Sequence, residues 1–507
     1  MTIDEIMALQ DTATKIEYLK RGRRFPLPDR ARLWADWQPT LHEIVADRKK
    51  YPQIEVVKSP EKTTYDPDTG KSIHVPKETE KVEPNRIAIP LEQNICNIHT
   101  AFTVGNEPKM SCDPDDSERN LLDAIYQVLK SNKTRYQNRR IVRSWLSETE
   151  CAEYWYTVED NGFWNKMRHK VGSSFGNVTP SRRLRSTLWS PFRGDKLYPF
   201  FNDNGDLVAF SREYSRTEVD GITKYYFMTI TSTRVHKWVL DGQWKEEEAF
   251  NHGFGKLPVI YAHRREALCD KVRTLRVRLE KLLSEYADCI DYHFFPILLL
   301  YCDDIPNLSG DMRNRIMQLT GDGANASYLT WNQVPETVKY EVEQLLAQAY
   351  SMTDTPRISF DYLIGRGNAV SGEAFKYVFM SVLMAVENHA EVMGDFFQRR
   401  VNFIVSALGS ISPIFAQSAR TIDIDVSIQP YTIDNIAQKV QTAVAAVSGG
   451  VWSRRTGVMF CGNIERTEEE LEEIKAEMAE KQPAEVNRDK ENQVTEKQEK
   501  EQEQNKT

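Results

Sequence analysis

Residues 266–294 read EALCDKVRTLRVRLEKLLSEYADCIDYHF, and this stretch decides the fold. Leu268, Val272, Leu275, Leu279, Leu282, Leu283, Tyr286 and Ile290 fall within about 100° of one helix circumference. Lys271, Arg273, Arg276, Arg278 and Lys281 occupy the remainder. The spacing predicts a long helix from Glu266 to Phe294, with an apolar stripe packed on a neighbour and a basic face turned to a polyanion. A single copy would grip DNA weakly. Repeated around a ring, each cation becomes a circle of charge.

Downstream, Phe294–Tyr301 reads as a buried strand, and 296–333 as a small unit with a short helix at Met312–Leu319, a turn at Gly321-Asp-Gly323 and a strand at Ser327–Trp331. A second helix is expected from Pro335, a favourable first-turn residue, to Ser351. Residues 353–370, with Pro356, Gly365 and Gly367, read as an irregular loop, and Gly372–Leu408 as the longest helix. Ile422, Ile424, Val426 and Ile428 alternate as in a strand over Thr421–Gln429. Helices at 433–447 and 467–481 follow, joined at Gly449-Gly450; residues 482–507 are too polar to offset their ordering entropy and are expected to be disordered.

Upstream, residues 1–50 read as helical, 52–85 as a loop or long hairpin, Arg86–Thr103 as the start of a packed domain, and 117–147 as a helical pair. Turn signals at Asp203-Asn-Gly205, Asp220-Gly221 and Asp241-Gly242 separate Leu207–Tyr214, Lys224–Ile230 and Val235–Val239, an antiparallel meander that 253–261 closes with one more strand. The fold class is therefore α+β.

The bulk numbers narrow the function. With 507 residues and 40% hydrophobic content the chain can build a sizeable core. Its net charge of -8 argues against a protein that grips DNA along a broad basic face, so any DNA contact is local or weak. Acids stand at the N-terminus where a secretory signal needs positive charge, and no apolar run of about 18 residues spans a membrane. Seven cysteines without a CxxC pair point away from a disulfide framework or zinc site and towards a reducing compartment.

Catalytic motifs are missing from the sequence: it holds no GxxxxGK[ST], HExxH, GxSxG or EF-hand pattern. No cofactor and no metal is expected. Asp113, Asp115 and Asp116 precede a helix, where acids cap and favour its dipole. Asp303, Asp304 and Asp311 are the carboxylates a metal-dependent nuclease would use, and such an enzyme is the rival reading from another class. His263 and His293 read as polar rim beside the basic helix.

Several linked segments carry a resemblance. Arg86-Ile-Ala-Ile-Pro with Phe102-Thr-Val-Gly-Asn-Glu-Pro108, Phe254-Gly-Lys-Leu-Pro-Val-Ile260, Ser371-Gly-Glu-Ala-Phe-Lys376, Ile424-Asp-Val-Ser-Ile-Gln-Pro430 and Glu468–Glu477 occur in the order and spacing of portal proteins of tailed phages with siphovirus-type heads. The chain resembles that family over roughly residues 85–480. Phe375 stands where leucine is commoner, and 52–84 and 160–195 match nothing in the pattern.

The resemblance implies a ring-forming homo-oligomer, typically a dodecamer, that passes double-stranded DNA without reading sequence. It implies a terminase large subunit, major capsid and scaffolding proteins and a head-completion adaptor as partners, no membrane, and a place in the virion after assembly in the host cytoplasm. By position, 1–265 is the N-terminal and wing region, 266–295 a stem helix, 296–333 the clip, and 334–352 the second stem helix. Residues 353–370 are the tunnel loop, 371–430 the long helix and wing strand, and 431–481 the crown. Arg357, Arg366 and Asn368 would face DNA in the tunnel loop; Lys271, Arg273, Arg276, Arg278 and Lys281 would line the stem channel. Asp303, Asp304, Arg313 and Arg315 would lie in the clip docking region, and Leu268, Leu275, Leu279 and Leu282 would pack subunits. The runner-up is another structural head or connector protein of a phage virion.

Overall fold

A computed structural model of the chain describes residues 1–59, 62–65, 72–159, 182–293, 297–301, 325–329, 335–357, 378–431, 436–461 and 471–476. It divides into two units, Met1–Tyr431 and Thr432–Thr507.

The larger unit starts with short helices, Ile3–Met7, Thr12–Arg21 and Arg30–Trp37. Each has a side-chain cap, from Thr2, Asp11 and Asp29, that satisfies an otherwise orphaned amide of the first turn. Ile6, Ile16 and Leu19 are buried against Tyr198, Phe200, Phe227 and Trp238 on one face of a five-stranded sheet. That sheet is the expected meander, extended at both ends: Lys196–Phe201, Leu207–Thr217, Thr223–Thr231, Arg234–Asp241 and Gln243–Asn251, antiparallel throughout and in sequence order. Because side chains alternate along a strand, Leu197, Phe210, Ile230 and Val235 point to the other face and pack on Trp189, Val259 and Tyr261.

The closing strand departs from expectation. Val259–His263 does not add to the meander; it pairs with Glu150–Glu159, which pairs in turn with Arg182–Trp189. Around this three-stranded sheet lies the main core, built by helices Leu91–Val104, Asp116–Ser131, Thr134–Glu148 and the 32-residue Met380–Ile411, with Ile95, Ile125, Ile141, Trp155, Phe397 and Ile404 buried together. Asp115 and Glu118 form a capping box on the second of these helices, as its acids suggested. Within 52–85, Ile54–Ser59 pairs antiparallel with Glu78–Val82 and Lys62–Tyr65 with Ser72–Val75.

The packed domain expected from Arg86 opens with an irregular stretch to Pro90 and a helix from Leu91. Two boundaries need correcting. The strand expected over Thr421–Gln429 shrinks to Asp425–Ser427, paired with Lys109–Ser111, because Ser418–Thr421 turns as a helix and only three residues find a ladder. The helix expected from Glu266 begins at Arg273. Here the Leu268 amide donates to Leu146 O (2.9 Å) and the Ala267 amide to the Asp270 carboxylate (3.0 Å), so both bond outside a helical ladder.

In the smaller unit, Ile436–Ser448 is followed by a helix not anticipated from the sequence, Arg454–Cys461. Gly450 takes a φ of +69°, and a Cβ on Gly457 would come within 2.7 Å of Val447, so glycine lets the two helices approach. The tail 482–507 and most of the helix expected at 467–481 lie outside the described residues. Among the described residues, no helix is long and apolar enough to cross a membrane.

Candidate DNA-channel site

The two helices expected to form the stem, Arg273–His293 and Pro335–Met352, flank in sequence the two-stranded antiparallel sheet Ile297–Tyr301 with Asn325–Leu329. Arg278 joins the helices, its guanidinium 2.8–2.9 Å from Glu341. The pair is exposed, so it fixes geometry more than it adds stability.

The five stem cations separate into different environments. Lys271, Arg278 and Lys281 are exposed, with Lys281 3.6 Å from Glu285. Arg273 is half-exposed and pairs with Asp36 (3.0 Å) and Glu43 (3.4 Å). Arg276 corrects the expectation of a channel-lining residue: it is 1% exposed, and its guanidinium is surrounded by Asp36 (2.7 Å), Glu92 (2.5 Å) and Glu280 (3.4 Å). The helix carries Arg276 on the side covered by the N-terminal segment. Glu280 lies 2.5 Å from His42 Nδ1 and accepts the Ile89 amide (2.9 Å), while Ser284 accepts the Ile87 amide (3.0 Å). Burial pushes the Glu92 carboxyl up to about 7, against the pull of the Arg276 charge. What looked like a uniform basic face is therefore part surface and part internal clamp.

The apolar stripe is corrected in the same way. Leu279 (1% exposed) and Leu268 are buried within their own chain, Leu268 in the main core. Leu275 and Leu282 are half-buried and retain area for a neighbour.

Helix Pro335–Met352 is followed by Thr353, Asp354 and Thr355, the expected start of the tunnel loop. Asp354 has a φ of +53°, in the left-handed region that aspartate enters more readily than most non-glycine residues, and its neighbours Thr353 and Thr355 shape its surroundings. Those surroundings are buried. The Thr353 hydroxyl donates to Ala349 O (2.8 Å) and lies 2.9 Å from the Thr355 hydroxyl, which lies 3.0 Å from His99 Nε2. His99 stands 5.3 Å, ring to ring, from His389 on the long helix, whose Nδ1 is 3.2 Å from the Thr103 hydroxyl. Burial lowers His99 to about 4; burial, then His99 and Arg264, lower His389 to about 3, so both imidazoles are neutral at pH 7. Sequence reasoning missed this seat of the loop, because two isolated histidines on apolar helices give no signal of their pairing.

Arg357 follows, half-buried. Arg366 and Asn368, and Asp303, Asp304, Asp311, Arg313 and Arg315, lie outside the described residues. His263, expected at a polar rim, stacks on Phe25 at 4.1 Å and is lowered to about 4 by burial. Among the described residues, no group of three or more His, Cys, Asp or Glu is arranged to hold a metal ion.

Paired helices flanking in sequence a small antiparallel sheet, with a 32-residue helix further on, agree with the α+β fold class expected of a phage portal subunit. The sequence matches that class directly: residues 35–484 match the family model described as phage portal protein, SPP1 Gp6-like, and the chain belongs to this family. It is thus a structural, non-catalytic subunit of the ring at the phage head vertex through which DNA is packaged and ejected. No curated protein sequence matches the chain. Among solved structures, a chain from the virion of a native gene transfer agent particle aligns at 9% identity, covering 73% of this chain and 88% of that one, with a TM-score of 0.35. A chain from the neck of an empty gene transfer agent particle aligns at 10% identity with the same coverage and a TM-score of 0.37. At such scores the assignment rests on the family match alone.

Proposed function

We propose that twelve copies of this chain close into the ring, and that the stem, clip, tunnel-loop and crown regions fall at 266–295 with 334–352, 296–333, 353–370 and 431–481. The arrangement of Arg273–His293 and Pro335–Met352 around the sheet Ile297–Tyr301 and Asn325–Leu329, tied by Arg278 and Glu341, carries this reading. Lys271, Arg278 and Lys281 are its channel cations, and Leu275 and Leu282 pack the neighbouring subunit. The clip, with Asp303, Asp304, Arg313 and Arg315, docks the terminase large subunit during packaging and a head-completion protein afterwards. Capsid and scaffolding proteins hold the ring at the vertex, and assembly takes place in the host cytoplasm.

A channel must pass double-stranded DNA without holding it, because each tight contact becomes a barrier to sliding. Phosphate neutralisation dominates DNA affinity, so a chain of net charge -8 with a few basic rings gives shallow wells. Arg357, Arg366 and Asn368 contact the moving backbone from the tunnel loop, without base readout.

Electron microscopy of the purified full chain tests the ring: particles with a central hole are expected, and a chain that stays monomeric with scaffolding protein present overturns the proposal. DNA content per assembled head tests the loop. Arg366→Glu and Arg357→Glu leave ring assembly intact and alter packaged DNA, through like-charge repulsion screened over about 8 Å at physiological salt. Unchanged DNA content for both variants removes these side chains from the DNA path.

A further inference from the structure

Helix Thr134–Glu148 buries one face in the main core through Ile141, Val142 and Trp145. Its outer face is arginine. Arg135, Arg139, Arg140 and Arg143 lie within about 140° of the circumference and span about 12 Å of the axis, with Lys130 and Lys133 continuing the face just before the helix. Arg185 of the adjacent strand reaches the same region, where its guanidinium donates to Ser131 O (2.9 Å).

Among the described residues, none of the four helix arginines, nor Lys130 or Lys133, takes part in an ion pair, and Arg139 Nε is buried without a hydrogen-bond partner. The acids that might neutralise them are engaged elsewhere. Glu148 accepts the Phe192 amide (2.6 Å), Glu118 accepts the Thr421 hydroxyl (2.6 Å), and Asp116 pairs with Arg119 (3.3 Å). Arg135 and Arg139, and Arg139 and Arg143, are like charges four residues apart, an arrangement that opposes the helix. A merely solvated face would alternate its charges. This one concentrates cations on a chain whose net charge is -8.

We propose that this face is a contact surface for the phosphate backbone of duplex DNA, separate from the stem and the tunnel loop. The inference rests on the portal assignment, which makes duplex DNA the cargo. Guanidinium groups match phosphate as forked donors. Over about 12 Å a duplex presents about seven phosphates, enough for every arginine on the face. A docked peptide or helix would need several apolar anchors, and this face offers only Tyr136, 60% exposed.

The test uses the assembled full-length ring and a linear duplex of random sequence, with affinity followed across a salt series. The slope of log affinity against log salt is expected to fall by about 0.9 per subunit in contact with the duplex for Arg140→Gln, and by about 3.6 per such subunit when all four arginines become glutamine. Unchanged slopes in rings that assemble normally overturn this inference and leave the portal assignment standing. Failure of Arg140→Gln to form rings, with its circular dichroism intact, overturns it in favour of a subunit seam. Loss of binding to an acidic scaffolding or capsid peptide with an unchanged DNA slope overturns it in favour of a protein partner. Wild-type chain that forms no ring removes the portal assignment itself.

Discussion

Replacing Arg276 with methionine keeps an unbranched apolar stem and removes the charge from a site that is 1% exposed. Its three acids are not equally affected. Asp36 keeps Arg273 at 3.0 Å, and Glu280 keeps His42 at 2.5 Å. Glu92 loses the cation 2.5 Å away that opposes its burial. Breaking a buried pair by removing one partner costs about 3–5 kcal/mol, and the two surviving contacts place this case near about 3 kcal/mol. The cost also depends on pH. The Glu92 carboxyl already sits near 7, above its ordinary 4.5, so its stabilising contribution is complete below 4.5 and lost as pH rises through 7. Without Arg276 the carboxyl rises further, and at pH 6 it is protonated and the penalty largely relieved. Hydrogen exchange reads this locally, which matters in a chain of two units that need not unfold together. At pH 8, amides of Arg30–Trp37, Leu91–Val104 and Arg273–His293 should lose about a hundredfold in protection, with much of it regained at pH 6. Protection within about threefold of wild type at pH 8, or a loss equal at both pH values, refutes the clamp.

Three further outcomes follow from the same geometry. Leu279→Asp places an unpaired charge in the chain's own interior and should lower the stability of the monomer itself by at least about 3 kcal/mol, visible in its thermal melt and not only as a ring that falls apart. Thr355→Val removes the hydroxyl 3.0 Å from His99 Nε2 while His99 Nδ1 is already unsatisfied; a loss of about 1–3 kcal/mol and faster exchange at 353–357 are expected, and unchanged exchange there would refute the anchor. His99 and His389 are held below their ordinary 6.5, so the stability they lend is present above 6.5 and lost as pH falls towards 4. His389→Phe should therefore flatten the melting temperature relative to wild type across that window.

Where local periodicity carried information, the sequence was legible. The meander could be read because Asn-Gly and Asp-Gly turns bound its strands, and Asp115 could be read as a cap because capping is decided within four residues. What could not be read were choices made by distant partners. Val259–His263 is a good strand by composition, and nothing local says that it pairs with Glu150–Glu159 rather than with the meander just before it. Arg276 is one of five similar cations on a helix, and its burial depends on Asp36, 240 residues away. The start of the stem helix was misplaced for the same reason, since the Leu268 amide is taken by Leu146 O.

That last failure bears on function. A helical wheel treats every cation opposite the apolar stripe as equal, and so predicts five basic rings in the channel. The fold spends Arg276 and part of Arg273 on carboxylates of its own N-terminal segment, and it pairs Arg278 with Glu341 and Lys281 with Glu285. Each internal pair reduces the charge available to phosphate, and affinity for a duplex scales with the number of phosphates neutralised. The pairs of Arg273, Arg276 and Arg278 also tie the helix Arg273–His293 to the segments that carry their partners. In the proposed reading, rigidity of the stem and weakness of its hold on DNA come from one set of contacts. Loosening the clamp at Arg276 should therefore free carboxylates and not cations, making the stem more mobile without making it bind DNA more tightly.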